Sequence, residues 1–335
     1  MTSSTREWYL RAARELAATS PRQVEWCVGV ADDPRMLELL EAVPRAARQP
    51  SLLFAVAAYL GAPDAPYAEW ADAVLARADI VAAELPRRRV QTNEPARTAP
   101  LAVALARIPG PIALLELGAA AGLCLLPDRY TFRFGTPGGV VERGAGAPVL
   151  EVQADAALVP SGLPEIRWRR GLDLAPLDVA DEDAVRWLES SLPPDRPERR
   201  ARLREAVATA RQHPPVVARG DARTAMRVLA ADAPRDATLV VASLGTAVYL
   251  PPADRARLLE AVSELGARAV SYEGRAVLPT VAARWDELVA QGRADAGATF
   301  VLALDGEPIA SGSAHGDRLV AVRSAGRTGR GERRS

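Results

Sequence analysis

The sequence predicts an α/β protein, a parallel sheet covered by helices on both faces and preceded by an all-helical region. Three observations carry this. Up to about residue 107 the apolar residues recur at helical spacing. After Pro109 short apolar runs alternate with amphipathic segments, the pattern of strands joined by crossover helices. The first of those runs, IALLEL, leads straight into a loop of glycine and alanine.

In the N-terminal region, Trp8, Leu10, Ala12 and Leu16 face one way while Arg11, Arg14 and Glu15 face the other. RMLELLEAV, SLLFAVAAYL and WADAVLARADIVAAEL repeat the theme. Ser20-Pro21, Asp33-Pro34, the Pro44 to Pro50 stretch, Pro63 to Pro66 and Pro86 cut one helix from the next. Residues 1–107 therefore read as a helical domain that forms a lid or substrate-selecting region, and residues 108–323 as the sheet domain.

Within the sheet domain, IALLEL, IRWRRGLDL, PVVARGD, ATLVVASLG and ARAVSYEG read as strands. The helical patterns DEDAVRWLESSL, PERRARLREAVATARQ, TAMRVLAADA, PADRARLLEAVSELG and PTVAARWDELVAQ fall between and after them. TFVLALDG and RLVAVRS have no helix between them and predict an antiparallel hairpin on the sheet edge. Residues 132–165, rich in Gly and Pro with short β-like pieces such as GVVERG and VLEVQA, read as an insertion, and residues 324–335 as a disordered basic tail.

Composition narrows the chemistry. The 42 basic and 42 acidic residues cancel, which argues against nucleic acid as a partner. Every basic residue is arginine, so a Walker P-loop, a pyridoxal Schiff base and a Ser-Lys dyad are excluded. Cys27 and Cys124, with only His213 and His315, make no zinc-binding pattern, and no metal is expected. The N-terminus lacks a continuous apolar stretch of signal-peptide length, and the longest apolar run, Ile108 to Leu126, is broken by Pro and Gly. The expectation is a cytoplasmic protein with no membrane partner.

The most informative segment is Ile112 to Leu126, IALLELGAAAGLCLL. It reads as a buried strand ending at Glu116, a Gly/Ala loop, and a helix opening near Ala120. Ligands of parallel sheets bind beyond the carboxyl ends of the strands. There Gly118 and Gly122 allow close backbone approach, and Glu116 can hydrogen-bond a cationic or hydroxylated group. The spacing does not match the G-x-G-x-x-G of dinucleotide folds, which argues against NAD.

The segment resembles the E/D-x-G-x-x-x-G loop of Rossmann-like methyltransferases that use S-adenosylmethionine (SAM). That resemblance implies a Rossmann-like, methyltransferase-type sheet with a terminal antiparallel hairpin. It also implies that Glu116, Gly118, Ala120 and Gly122 hold the methionine and ribose portions of SAM. Asp173, in GLDLAPLDV, resembles the acid that takes the ribose hydroxyls, and Asp221 with Ala222, in VVARGDA, the group that meets adenine. Glu116 and Asp173 are 57 residues apart where about 20 is usual. Either the 132–165 insertion accounts for the distance or Asp173 is not the ribose ligand. Over nearly its whole length the chain also resembles the bacterial family DUF2332. RRRVQTNEPAR, LLELGAAAGLCLLPDRY, GLDLAPLDV, VVARGDA and AHGDRL carry that resemblance.

Several further residues are candidates. In QTNE, Gln91, Asn93 and Glu94 either cap the next helix, with Asn93 as the cap residue, or face a cleft between the domains. In the second case Gln91 and Asn93 orient substrate, and Glu94 serves as base if burial raises its pKa. His315, at a turn before the last strand, is the best near-neutral proton acceptor. Tyr249, before Pro251-Pro252, stands where a residue after the fourth strand meets substrate. Tyr130 either contacts substrate or buttresses the helix expected after the loop. His213 reads as a helix-end residue and Arg87 to Arg89 as a solvated helix end. The expected reaction is SAM-dependent methyl transfer to O, N or C of a small molecule. The alternatives are a non-methylating enzyme on the same scaffold and a non-catalytic ligand-binding protein.

Overall fold

The computed structural model describes residues 4–17 and 19–324. Among them the chain forms twelve α-helices and eleven strands, divided into a helical unit and a sheet unit. The tail expected from residue 324 lies, from residue 325 onward, outside the described residues.

The helical unit runs to Asn93 and takes in Leu177–Arg211. It begins with α1 (Thr5–Leu16), α2 (Pro21–Asp32), α3 (Pro34–Glu41), α4 (Pro50–Tyr59), α5 (Tyr67–Leu75) and α6 (Ala78–Glu84). The breakers act as the sequence predicts. Ser20 and Asp33 accept hydrogen bonds from the first-turn N–H groups of Gln23 and Arg35, and Pro21, Pro34 and Pro50 open α2, α3 and α4. The core is aromatic: Trp26 and Trp70 stack at 4.6 Å, and Phe54 meets both edge-on.

The sheet unit begins at Glu94. Its first helix, α7 (Thr98–Leu105), is buried on every side and packs on the strands β8 and β9 described below. The sequence assigns residues up to 107 to the helical domain. The actual division at Asn93/Glu94 follows from α7 having no polar face, which makes it a core helix of the sheet. After β1 (Ile112–Leu117) no α-helix opens. The chain instead makes two 3₁₀ turns, Leu123–Leu125 and Pro127–Arg129, and enters β2 (Thr131–Thr136). An apolar segment with Gly122 in the left-handed region and Pro127 soon after has no amphipathic stripe to stabilise a helix. The β-like pieces GVVERG and VLEVQA of the expected insertion form β3 (Gly139–Arg143) and β4 (Val149–Ala154), and β5 (Ile166–Asp173) follows.

α8 (Glu182–Ser190) and α9 (Pro197–Gln212) come next. The sequence places them among the crossover helices, but Leu177 and Trp187 pack in the helical core. The chain then forms β6 (Val217–Arg219), α10 (Ala222–Ala230), β7 (Thr238–Leu244), α11 (Pro252–Ser263), β8 (Arg268–Gly274), α12 (Pro279–Ala290), β9 (Phe300–Leu304), β10 (Glu307–Gly312) and β11 (Arg318–Ala321).

All the strands join one sheet in the order β3-β2-β4-β11-β10-β9-β8-β7-β1-β5-β6. The run β8-β7-β1-β5-β6 is parallel throughout. From β1 the chain moves outward to β5 and β6, then returns to β7 on the other side of β1. The order therefore reverses between β1 and β7, and the crevice beyond their carboxyl ends is the ligand position of such sheets. The hairpin differs from expectation in two ways. β9 pairs with Glu307–Gly312, the stretch read as a connection, and RLVA forms a third strand. It also lies inside the sheet, because β4 pairs with β11 and carries β2 and β3 beyond it.

One face of the sheet packs Leu115, Leu117, Val241, Ala269 and Val301 against Met226, Leu258, Val262, Val281 and Trp285 from α10, α11 and α12. Alternation then places Glu116, with Ala242 in register beside it, on the opposite face.

Candidate active site

Every residue of β1 is buried, and Glu116 retains 2% exposure. Its Oε2 has no hydrogen-bond partner among the described residues. The Cys124 thiol hydrogen-bonds the Glu116 carboxyl and lies 3.4 Å from the carbonyl oxygen of Glu94. Burial first, and the nearby Asp173 charge second, push the Glu116 pKa well above the usual carboxylate range, while Arg97 and the Cys124 hydrogen bond oppose the shift. Burial and Glu116 in turn hold the Cys124 thiol protonated.

The loop after β1 is held by its neighbours. Gly118, Ala120 and Gly122 all have positive φ, at 68°, 49° and 74°. Alanine resists that region by about 1–2 kcal/mol. Asp173, at the end of β5, offsets the cost by accepting from the Ala120 N–H at 2.8 Å with Oδ2, while Oδ1 accepts from the Ala175 N–H at 2.8 Å. A Cβ at Gly118 would lie 2.3 Å from the Thr246 side chain, and one at Gly122 would lie 2.6 Å from Pro215. The close approach that these glycines permit is thus to the protein's own side chains.

Arg97 organises the rest. Its Nη1 donates to the Leu244 carbonyl at the end of β7 (2.8 Å), and its Nε to the Ala314 carbonyl in the turn before β11 (3.0 Å). Tyr272 anchors the same turn by donating to the Ser313 carbonyl. Arg97 closes a 3₁₀ turn, Pro95–Arg97, that Glu94 caps by accepting from the Ala96 N–H at 3.2 Å. Glu94, 4% exposed, is thus the cap residue, the place the sequence gives to Asn93. The elements carrying Glu94, Arg97, Glu116, Cys124 and His315 therefore meet at the carboxyl ends of β1 and β7.

A family model described as "Uncharacterized protein conserved in bacteria (DUF2332)" matches residues 6–320. The chain belongs to the DUF2332 family. No curated protein and no solved structure matches it.

Other candidates in this DUF2332 chain stand in different surroundings. Asp221 caps α10 by accepting from the Arg223 N–H and pairs with the Arg223 guanidinium, which lowers its pKa. Ala222 is the first residue of that helix. Tyr249 follows β7 with 80% of its surface exposed. Tyr130 is fully buried and donates to the Leu123 carbonyl at 2.7 Å, which is a buttress for the loop. Gln91 and Asn93 end the helical unit, half-buried and buried respectively. His213, just after α9, is exposed. Arg88 is not solvated as the sequence suggests. It pairs with Glu84 at 2.7 Å and lies 3.7 Å from the Tyr59 ring centroid.

Sequence reasoning missed three residues. Arg97 is the one cation in EPARTAPLAVAL, and a lone guanidinium at the head of an apolar helix was the available signal. Cys124 reads as a small hydrophobe. Glu273, in the strand SYEG, gave the same signal as Glu116, an acid at the end of an apolar run. Among the described residues no group of three or more His, Cys, Asp or Glu side chains is arranged to hold a metal, and no helix is long and apolar enough to cross a membrane.

Proposed function

We propose that the chain is a SAM-dependent methyltransferase acting on a small molecule, on a methyltransferase-type Rossmann arrangement. The supporting observation is the buried Glu116 carboxyl, with Oε2 unpartnered among the described residues, at the crevice where the strand order reverses. A buried carboxyl oxygen without a partner is costly unless a ligand supplies a donor. The nearby Arg97 guanidinium complements a carboxylate, so the pair suits a ligand that carries both an organic cation and an acid, as SAM does. Bound SAM would supply a methyl group on a sulfonium leaving group, leaving the protein to align, exclude water and accept one proton. Glu116 and Arg97 would hold the ligand. Asp173 would keep the β1 loop in its strained form, and Glu94 or His315 would accept the proton.

A second reading draws on the β1 loop. Gly118 and Gly122 are explained by packing on Thr246 and Pro215, and 3₁₀ turns stand where a helix N-terminus would face SAM. Those facts favour a different cationic ligand in the same crevice, either in a non-methylating reaction or in binding alone. Titration calorimetry with SAM and S-adenosylhomocysteine separates the two. Micromolar binding, weakened roughly a hundredfold by Glu116→Ala in a folded protein, supports the first. No heat at millimolar ligand transfers the crevice to the second.

A further inference from the structure

Glu273 lies one residue before the end of β8, 3% exposed, and none of the roles above uses it. Its Oε1 accepts four hydrogen bonds: from the Ser243 hydroxyl at 2.6 Å and from the N–H groups of Gly245, Thr246 and Ala247 at 3.0, 2.9 and 3.0 Å. Its Oε2 is buried with no partner among the described residues. Successive backbone N–H groups converging on one point form a concavity of the kind that binds anions. Here the protein fills it with its own carboxylate.

The loop so gathered walls the crevice. Thr246 is the residue whose side chain lies against Gly118, two positions after Glu116. The loop begins where Leu244 gives its carbonyl to Arg97. We infer that Glu273 is a positioning residue of the crevice, fixing the β7 loop so that Thr246 shapes the Gly118 turn and Arg97 keeps its place beside Glu116. Its carboxylate acts across the sheet, since it projects on the face opposite Glu116.

The inference rests on the SAM reading only for the identity of the probe. Amide hydrogen exchange tests the loop without any ligand. In Glu273→Ala the amides of residues 245–247 should exchange at least about tenfold faster, as expected when buried hydrogen bonds are lost, while those of β1 stay as slow as in the wild type. Calorimetry with S-adenosylhomocysteine tests the crevice. Affinity should fall about tenfold in Glu273→Ala with little change in Tm, and Glu273→Gln, which keeps the accepting oxygen, should restore most of it. Equal protection of 245–247 in wild type and Glu273→Ala, or an affinity loss that merely tracks a falling Tm, overturns the inference. If the wild type does not bind the probe, the SAM reading fails by itself and the exchange result alone decides the role of Glu273. If Glu273→Ala does not fold, Ser243→Ala, which removes one of the four donors, and Glu273→Gln carry the same comparison.

Discussion

Arg6 pairs with Asp32 and Arg22 with Glu25 toward the surface of the helical unit, whose buried polar side chains, Thr5, Ser20, Gln23 and Asn93, are uncharged. The sheet unit closes over three glutamates, Glu94, Glu116 and Glu273. Burying a carboxylate is unfavourable unless donors or cations meet it. Four donors converge on Glu273 Oε1, the Ala96 N–H meets Glu94, and Glu116 and Glu273 each keep their Oε2 without a partner among the described residues. The difference separates a unit whose buried polar side chains are neutral from one that buries acids, at the ends of β1 and β8 and at the turn before α7.

The largest effect that sharpens the contrast belongs to the packed unit. Trp70→Ala removes the ring stacked on Trp26 and met edge-on by Phe54, and should lower stability by about 3–5 kcal/mol in a denaturant melt. A loss under about 1 kcal/mol would break the picture of a tightly packed aromatic core. Next is Glu116→Gln. A carboxyl whose folded pKa is raised holds its proton more tightly folded than unfolded. Its contribution is therefore complete below about 4.5 and is lost as pH rises through the folded value. The glutamine variant has no such dependence, so its stability relative to wild type should increase as pH rises above about 4.5. Parallel pH profiles would mean that Glu116 is not the strained group. The smallest effect is Asp221→Ala, which loses a helix cap and should cost about 1 kcal/mol at neutral pH. The Asp221 pKa is lowered by Arg223, so its contribution exists above about 3.8 and fades as pH falls, and the variant should converge on wild type in acid.

What could be read from the sequence followed physical range. Proline and the capping residues act over one turn, so the starts of α2, α3 and α4 were visible. Glu116 was visible because an acid ending an apolar strand violates the local pattern. The sequence places α7 with the helical domain because a helix apolar all round carries no sign of which core it enters. Residues 132–165 read as an insertion with β-like pieces, and the sheet partners of those pieces stay hidden because short strands among Gly and Pro announce no neighbour and β4 finds β11 far along the chain. Arg97 and Glu273 escaped notice because their roles depend on backbone groups of distant segments, Leu244 and Ala314 for one and Gly245 to Ala247 for the other.

The pairing of β4 with β11 also sets an order of assembly. Among the described residues β11 alone joins β4, β2 and β3 to the remaining strands, and the Ala321 N–H that donates to Asp155 is 166 residues further along the chain. As the polypeptide leaves the ribosome, the segment bearing Phe132, Phe134 and Val152 must wait for β11 to be synthesised before the sheet can close beside it. Contacts so remote in sequence are slow to form, and the apolar side chains that await them stay open to misassociation meanwhile. A chain stopped short of Arg318 would lack the strand that completes the sheet while keeping every residue of the β1 crevice, so the final strand acts as the keystone of the fold.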